Sequence, residues 1–246
     1  MSNNVWPAGV ARIVLDEVDS TLSHAARLAP SLKGPTWILA HRQTAGRGRR
    51  GRAWADPVGN FAATLVMQPA GSPDELALRS FIGALALYDA VVFVTGRTAG
   101  LALKWPNDVL LNGGKLAGIL LESTSGTNAL AIGIGVNLLN VPDQVEEGAT
   151  MPVNLLSQTG ASVSPEEFLD AIAPAFARYE AQFATYGFAP IRRAWLDRAA
   201  RLGQVITART GQTQITGTFE TIDDSGALVI KTSKGRQVIP AGEVFF

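Results

Sequence analysis

The chain has 246 residues, no cysteine, 21 Lys+Arg against 21 Asp+Glu, and a hydrophobic fraction of 47% with 17% charged residues. That length and composition suit one good core, or one core plus a small satellite, and exclude a disordered chain or a disulfide scaffold. Balanced charge excludes a global field for nucleic acid or anionic membrane, and the missing thiols exclude cysteine nucleophiles and cysteine metal sites.

The start, Met1 to Pro7, has neither a basic n-region nor an apolar h-region. The longest apolar run, Phe81 to Val94, contains Asp89 and is shorter than the roughly 20 residues of a membrane span. A soluble, cytoplasmic protein is the expectation. Val10 to Leu15 reads as a first strand, and Asp19-Ser20 as the cap of a short helix running to Ala29 and closed by Pro30. Thr36 to His41 and Phe61 to Met67 read as strands on either side of a glycine-arginine segment. Asp74 to Val94 has helical periodicity, with Leu76, Leu78, Phe81, Ile82, Leu85 and Ala86 recurring at three and four.

A dense β region follows: Leu101 to Lys104, Val109 to Leu111, Lys115 to Glu122 and Ala129 to Val136. Asn112-Gly113-Gly114 between apolar runs predicts an antiparallel hairpin over 109–121, and Ser123 to Asn128 predicts a turn. Pro165 to Tyr186 predicts a long amphipathic helix opened by Ser164, with Glu166-Glu167 in its first turn. Pro190 to Arg201 predicts another helix. Beyond Leu202 the period becomes two: Gln204 to Arg209, Gln214 to Glu220, Ala227 to Lys231 and Arg236 to Ile239 alternate between turn residues. That spacing suggests a small SH3-like barrel.

The segment Gly46 to Arg52 holds four arginines and three glycines in seven residues. Glycine permits close backbone approach and positive φ; arginine supplies a permanent charge and a donor fork shaped for carboxylate and phosphate. The segment describes a loop that wraps a small anion. Gly46, Gly48 and Gly51 also satisfy G-x-G-x-x-G, but Asp56 to Asn60 is turn chemistry followed by a strand, not a helix, so the dinucleotide reading fails. The P-loop reading fails too, because Arg52-Ala53 stand where Lys-Ser/Thr would be needed. Three further clusters accompany the loop: Lys104-Trp105-Pro106-Asn107-Asp108, Gly114-Lys115-Leu116-Ala117-Gly118 and Gly133-Ile134-Gly135-Val136-Asn137. Asp19-Ser20-Thr21 and Gln43 add neutral donors and acceptors.

Together Gln43 to Arg52, Lys104 to Asp108, Lys115 to Leu120 and Gly133 to Asn137, in that order and spacing, resemble the biotin–protein ligases over roughly residues 10 to 246. The resemblance implies an α+β fold: a mixed-sheet, biotin/lipoate ligase-like catalytic domain at 1–201, then a small SH3-like β-barrel at 202–246. It implies that biotin and MgATP form biotinyl-5′-adenylate and pyrophosphate, and that a lysine of a biotin carboxyl carrier domain of acetyl-CoA or a related carboxylase then takes the biotinyl group. By the resemblance the catalytic residues are Lys115, Arg47 and Arg49. Biotin is held by Ser20, Thr21, Gln43, Gly46, Arg47, Gly48, Arg49, Lys115 and Gly118, and nucleotide by Arg49, Arg50, Arg52, Trp54, Lys104, Asn107 and Asn137. Asp108 is the implied magnesium carboxylate. The loop is expected to be mobile without ligand and to fold over the adenylate.

The chain departs from the family pattern in places. Leu22 stands where the family usually has Asn, and the stretch Ala149 to Leu155 is altered, so no adenine contact is assigned to it. The sequence ends at Phe246, so the basic residues that can follow the last strand in relatives are expected to be absent. Only 19 residues precede Ser20, too few for a three-helix DNA reader, so neither a specific DNA partner nor a membrane partner is expected. Relatives dimerise sheet to sheet, and Leu110-Leu111 with Gly133 to Val136 are the candidate edge of a homodimer. His24 and His41 receive no role; isolated histidines without cysteine make no zinc site. The rival readings are a lipoate or octanoate ligase of the same superfamily, a biotin-binding protein without chemistry, and a nucleic-acid-binding module using Arg42 to Arg52. The last is disfavoured by balanced charge and an aromatic content of 7%.

Overall fold

The computed structural model describes residues 5–55, 57–124, 127–142 and 150–246. Asp56, the Ser125-Gly126 pair of one predicted turn, Ala149 and the first four residues therefore lie outside the described residues. Alternation along the strands builds the main sheet. β1 (Ala11–Leu15) pairs in parallel with β2 (Thr36–Ala40), and α1 (Thr21–Leu28) connects them. The other partners are all antiparallel: β3 (Phe61–Met67), β4 (Leu101–Lys104), β5 (Asp108–Leu111), β6 (Gly114–Ser123) and β7 (Leu130–Val136), in the order β1-β2-β3-β7-β6-β5-β4.

The period of two sorts side chains between the faces of this sheet. Phe61, Ala63 and Leu65 of β3 and Leu130, Ile132, Ile134 and Val136 of β7 enter the main core. α3 (Arg79–Thr95) and α5 (Pro165–Tyr186) share that core through Phe81, Leu85, Phe168 and Phe176. The other face carries small residues. Ala129 and Ala131 pack with Leu22 and Ala25 of α1, and Gly133 and Gly135 leave space that other groups fill. A Cβ on Gly133 would lie 2.8 Å from Leu22, so α1 can sit close only because that position has no side chain.

Several predicted elements are revised. The helix read over Asp74 to Val94 is two, α2 (Pro73–Ala77) and α3, joined at Leu78 by a tight Phe81 N–H to Leu78 C=O bond. The stretch Pro73–Thr95 is long and apolar enough by composition to cross a membrane, longer than the sequence run suggested, yet most of its apolar window is buried within the fold. The helix read over Pro190 to Arg201 is α6 (Phe188–Leu196). Residues 198–200 instead turn back along β4, where Leu103 N–H donates to Arg198 and Ala200 N–H donates to Leu103, each at 2.8 Å. α4 (Leu155–Thr159), capped by Asn154 through the Ser157 N–H, was not predicted. The candidate dimer edge is corrected as well. β5 lies between β6 and β4, and β7 between β3 and β6, so both segments already have partners on each side.

The C-terminal sheet is antiparallel, in the order β11-β10-β9-β8-β12. It comprises β8 (Val205–Thr210), β9 (Thr213–Ile222), β10 (Leu228–Thr232), β11 (Gly235–Ile239) and the unpredicted β12 (Glu243–Phe245). Ile206, Ala208, Phe219, Ile222, Leu228 and Val244 belong to the same buried cluster as the main sheet. Trp105 Nε1–H donates to Gly226 C=O at 3.1 Å and Arg192 Nη1 to Ile222 C=O at 3.2 Å, which fixes one sheet against the other.

Candidate active site

The arginine segment is a small hairpin. Gly48 N–H donates to Arg52 C=O at 2.8 Å, Trp54 N–H donates to Gly46 C=O at 2.9 Å, and Arg49–Gly51 form a single 3-10 turn at the tip. Arg50 (φ 59) and Gly51 (φ 73) are both left-handed, which lets the chain reverse there. Gly46 is required by contact, since a Cβ there would sit 2.6 Å from Trp54 C=O. Among the described residues the hairpin returns into β3 with no helix after it, as the rejection of the dinucleotide motif anticipated.

The hairpin lies over the small-residue face of the sheet, and between them is a cavity of about 570 Å³. Trp54 enters it above two glycines. A Cβ on Gly135 would be 2.5 Å from the indole, and one on Gly118 would be 3.3 Å from it and 3.5 Å from Lys115 Nζ. Lys115 Nζ stands 5.7 Å from the centroid of the Trp54 ring and 2.8 Å from Asp108 Oδ1. β5 and β6 pair Asp108 with Gly118, so the hairpin read from Asn112-Gly113 is what delivers the carboxylate, the lysine and the bare glycine to one place.

One part of the lining is neutral. Gln43 Oε1 accepts from Thr21 N–H at 2.8 Å and from Thr21 Oγ1 at 3.1 Å, and Thr64 Oγ1 donates to Thr21 Oγ1 at 2.9 Å. Ser20 occupies the N-cap position of α1 but caps nothing with its side chain. Its Oγ is buried, with the residue 2% exposed, and has no hydrogen-bond partner among the described residues. A buried hydroxyl without a partner costs about 1–3 kcal/mol, and a polar ligand relieves that cost. Asp19 holds this corner. It accepts from Ser20 N–H and from both terminal nitrogens of Arg27, and Arg27 keeps its carboxyl far below the usual carboxylate range.

The remainder of the lining is cationic. Lys104 is 9% exposed and donates to Thr150 Oγ1 at 2.6 Å. Burial, with the like charge of Lys115, pushes its ammonium below its ordinary value against the opposing pull of Asp108. Burial and the neighbouring Arg50 lower Arg49 in the same direction. Arg49 Nη1 reaches Asn107 Oδ1 and Gly242 C=O, each at 3.2 Å, while Asn107 Nδ2 donates to Ile119 C=O at 2.7 Å. A half-buried carboxylate from the second sheet, Glu243, pairs with Arg50 at 3.1 Å, Arg52 at 2.9 Å and Arg209 at 2.9 Å. Burial alone would raise its pKa, but Arg209, Arg52 and Arg50 together hold it below the usual range. Asp108 is the other carboxylate on this wall.

Of the residues expected from sequence, Ser20, Thr21, Gln43, Arg47, Gly48, Arg49, Arg52, Trp54, Lys104, Asn107, Asp108, Lys115 and Gly118 line the one cavity. Gly46, Arg50 and Asn137 are not among its lining residues. Gly46 supports Trp54, and Arg50 turns to Glu243. Asn137 is buried and donates its amide to Val153 C=O at 3.1 Å, next to the isolated bridge between Pro152 and Lys115 of β6. Arg47 reaches outward to Glu122 at 3.0 Å and Ser23 at 3.3 Å. Sequence reasoning missed Thr150, Thr207, Arg209, Gln214, Glu243, Val244 and Phe245, which also line the cavity. No local motif marks those of the second sheet, because the pairing of β8 with β12 and with β9 is what brings them there.

The chain is similar to known proteins along most of its length. Residues 14–138 match the model of the biotin/lipoate A/B protein ligase family, and residues 202–246 match that of the biotin protein ligase C-terminal domain. The chain is 60% identical over 238 residues to a biotin–[acetyl-CoA-carboxylase] ligase of Paracoccus denitrificans, covering 95% of this chain and 99% of that one. It is 30% identical over 239 residues to the bifunctional ligase/repressor BirA of Bacillus subtilis, covering 93% of this chain and 72% of the relative. Among solved structures, the biotin protein ligase of Aquifex aeolicus in complex with biotin and ATP superposes with a TM-score of 0.82 at 26% identity, over 95% of this chain and 97% of that one.

Proposed function

The chain belongs to the biotin/lipoate A/B protein ligase family, and on that premise we propose that it joins biotin to a carrier-domain lysine at the expense of ATP. The observation that carries this reading is one cavity with a neutral hydrogen-bonding corner at Ser20, Thr21 and Gln43 and a cationic wall at Lys104, Lys115, Arg49 and Arg52. A neutral ureido head needs the first and a triphosphate needs the second.

In the first half-reaction a carboxylate oxygen of biotin attacks the α-phosphorus of ATP. The bond to the bridging oxygen breaks, and pyrophosphate leaves with that electron pair. Two anions must meet, so the protein's contribution is positioning and preorganised positive charge. Lys115, held by Asp108 and beside Trp54, is suited to the carboxylate and α-phosphate oxygens. Arg49 and Lys104, both desolvated, act more strongly on a phosphate than exposed cations would. Arg47 lines the cavity while paired with Glu122, and closure of the hairpin over the adenylate would exchange that partner for the ligand. In the second half-reaction a neutral lysine amine of the acceptor attacks the acyl carbon, AMP departs, and the amide forms with loss of a proton.

Asp108 fits the magnesium role. Mg²⁺ takes one or two carboxylates plus phosphate oxygens, and among the described residues no cluster of three acidic, histidine or cysteine groups offers an all-protein cage. When bound, the ion would neutralise phosphate charge. We place the domain boundary at 201/202 and the reaction in the cytoplasm, in keeping with a cysteine-free chain that uses ATP. A homodimer built sheet to sheet would use β1, the edge strand beyond β2.

The test is transfer: the protein, biotin, MgATP and a carboxylase carrier domain, read by intact-mass spectrometry. One biotinyl addition on a single lysine supports the reading. An unmodified carrier with each component present contradicts it.

A further inference from the structure

We propose that the C-terminal domain completes the nucleotide end of the cavity: Arg209 is a phosphate-facing cation, and Glu243 is the positioning residue that docks the arginine turn beside it. This rests on the biotin-and-ATP reading above and extends it to the second sheet.

Glu243 on β12 stands directly opposite Arg209 on β8 in the antiparallel ladder. Its carboxylate, 15% exposed, takes Arg50 and Arg209 on Oε2 and Arg52 on Oε1. The preceding carbonyl, Gly242 C=O, accepts from Arg49 Nη1 at 3.2 Å. Every arginine of the hairpin tip therefore meets the two-residue segment Gly242-Glu243. A Cβ on Gly242 would lie 2.8 Å from Arg209 C=O, so a bare Cα is needed for β12 to approach β8 there. Among the described residues, the backbone of the tip is hydrogen-bonded only across its own hairpin.

Charge arithmetic points to the occupant. One carboxylate faces three guanidiniums, which leaves two positive charges at this spot, and Asp108 offsets only one of the nearby Lys104 and Lys115. Fixed cations of one sign concentrated in a concave wall repel one another until a polyanion arrives. A triphosphate supplies that charge. Arg209 differs from the tip arginines in kind. It projects from a strand, and its guanidinium carbon sits 4.7 Å from the centroid of the Phe245 ring, so its place does not depend on how the glycine-rich turn is arranged. It lines the same cavity as Lys104 and Lys115, with Gln214 and Thr207 beside it.

Biotin-dependent ATP–pyrophosphate exchange measured against ATP concentration tests this, with Arg209→Met, Arg209→Lys and Glu243→Gln. Biotin affinity, titrated without nucleotide, and thermal midpoint serve as controls on folding. We expect Arg209→Met to raise KM for ATP about ten- to a hundred-fold, the range for loss of a charge-assisted contact, with biotin affinity and midpoint unchanged. Arg209→Lys restores most of the loss, since the charge matters more than the fork. Glu243→Gln lowers kcat as well as raising KM for ATP, because the turn loses its dock. A wild-type KM for ATP in Arg209→Met overturns the proposal. So does an equal failure of Met and Lys variants accompanied by a lowered midpoint, which would make Arg209 a structural ion-pair partner only. Absence of biotin-dependent exchange in the wild type would instead remove the underlying reading.

Discussion

Lys104 is buried where a cation is costly. Its ammonium has Thr150 Oγ1 as a hydrogen-bond partner and the Phe246 ring at 5.2 Å, and burial lowers its pKa from the ordinary 10.5. The sign follows from linkage: the unfolded chain holds this proton more tightly than the folded one. The destabilisation is complete below the folded value and fades as pH rises from there towards 10.5. Lys104→Met therefore raises the thermal midpoint near neutrality, while weakening ATP binding. The stability advantage of the variant shrinks with pH in the alkaline range. A midpoint lowered by the substitution at pH 7 would contradict this assignment of cost and use. Ser20 follows the same logic on a neutral group, since its orphaned hydroxyl is left for a ligand instead of capping α1.

At the scale of elements, the cavity depends on absent side chains. Gly118, Gly133 and Gly135 let α1 and the Trp54 hairpin settle on the sheet. Gly135→Ala puts a methyl 2.5 Å from the indole, so Trp54 must move and adenylation should slow by about ten-fold or more, the scale set by small displacements of positioned groups. β7 itself should persist, because Ala fits a strand. Unchanged exchange kinetics and unchanged tryptophan fluorescence in the variant would count against this role of Trp54. The hairpin of β5 and β6, the capped α5 and most strands were legible in sequence because local rules decide them: Asn112-Gly113 turns the chain, and Ser164 with Glu167 forms a capping box. Other features are decided by partners far along the chain. Nothing local distinguishes an inner strand from an edge, so Leu110-Leu111 and Gly133 to Val136 were misread as an edge. Glu243 is three residues from the last position, and only the pairing of β12 with β8 gives it meaning. Asn137 sits in a motif segment yet spends its amide on Val153 and Lys115 carbonyls, a use no spacing announces.

The whole molecule behaves as one packing unit. Trp105, Trp195, Phe81 and Phe188 lie in or against the same core that receives Phe219, Leu228 and Ile230 from the second sheet. Calorimetry should show a single cooperative transition; two separated endotherms would mean that the sheets unfold independently. That continuity also explains how a C-terminal sheet can shape chemistry on the first. Exchange of pyrophosphate into ATP, run with biotin, with lipoate and with no acid, on wild type and Lys115→Ala, bears most directly on the adenylation claim. The account predicts exchange that requires biotin and falls by about a hundred- to a thousand-fold in the variant, the range for losing one preorganised electrostatic donor. Exchange supported by lipoate and not by biotin, or by neither acid, would contradict it.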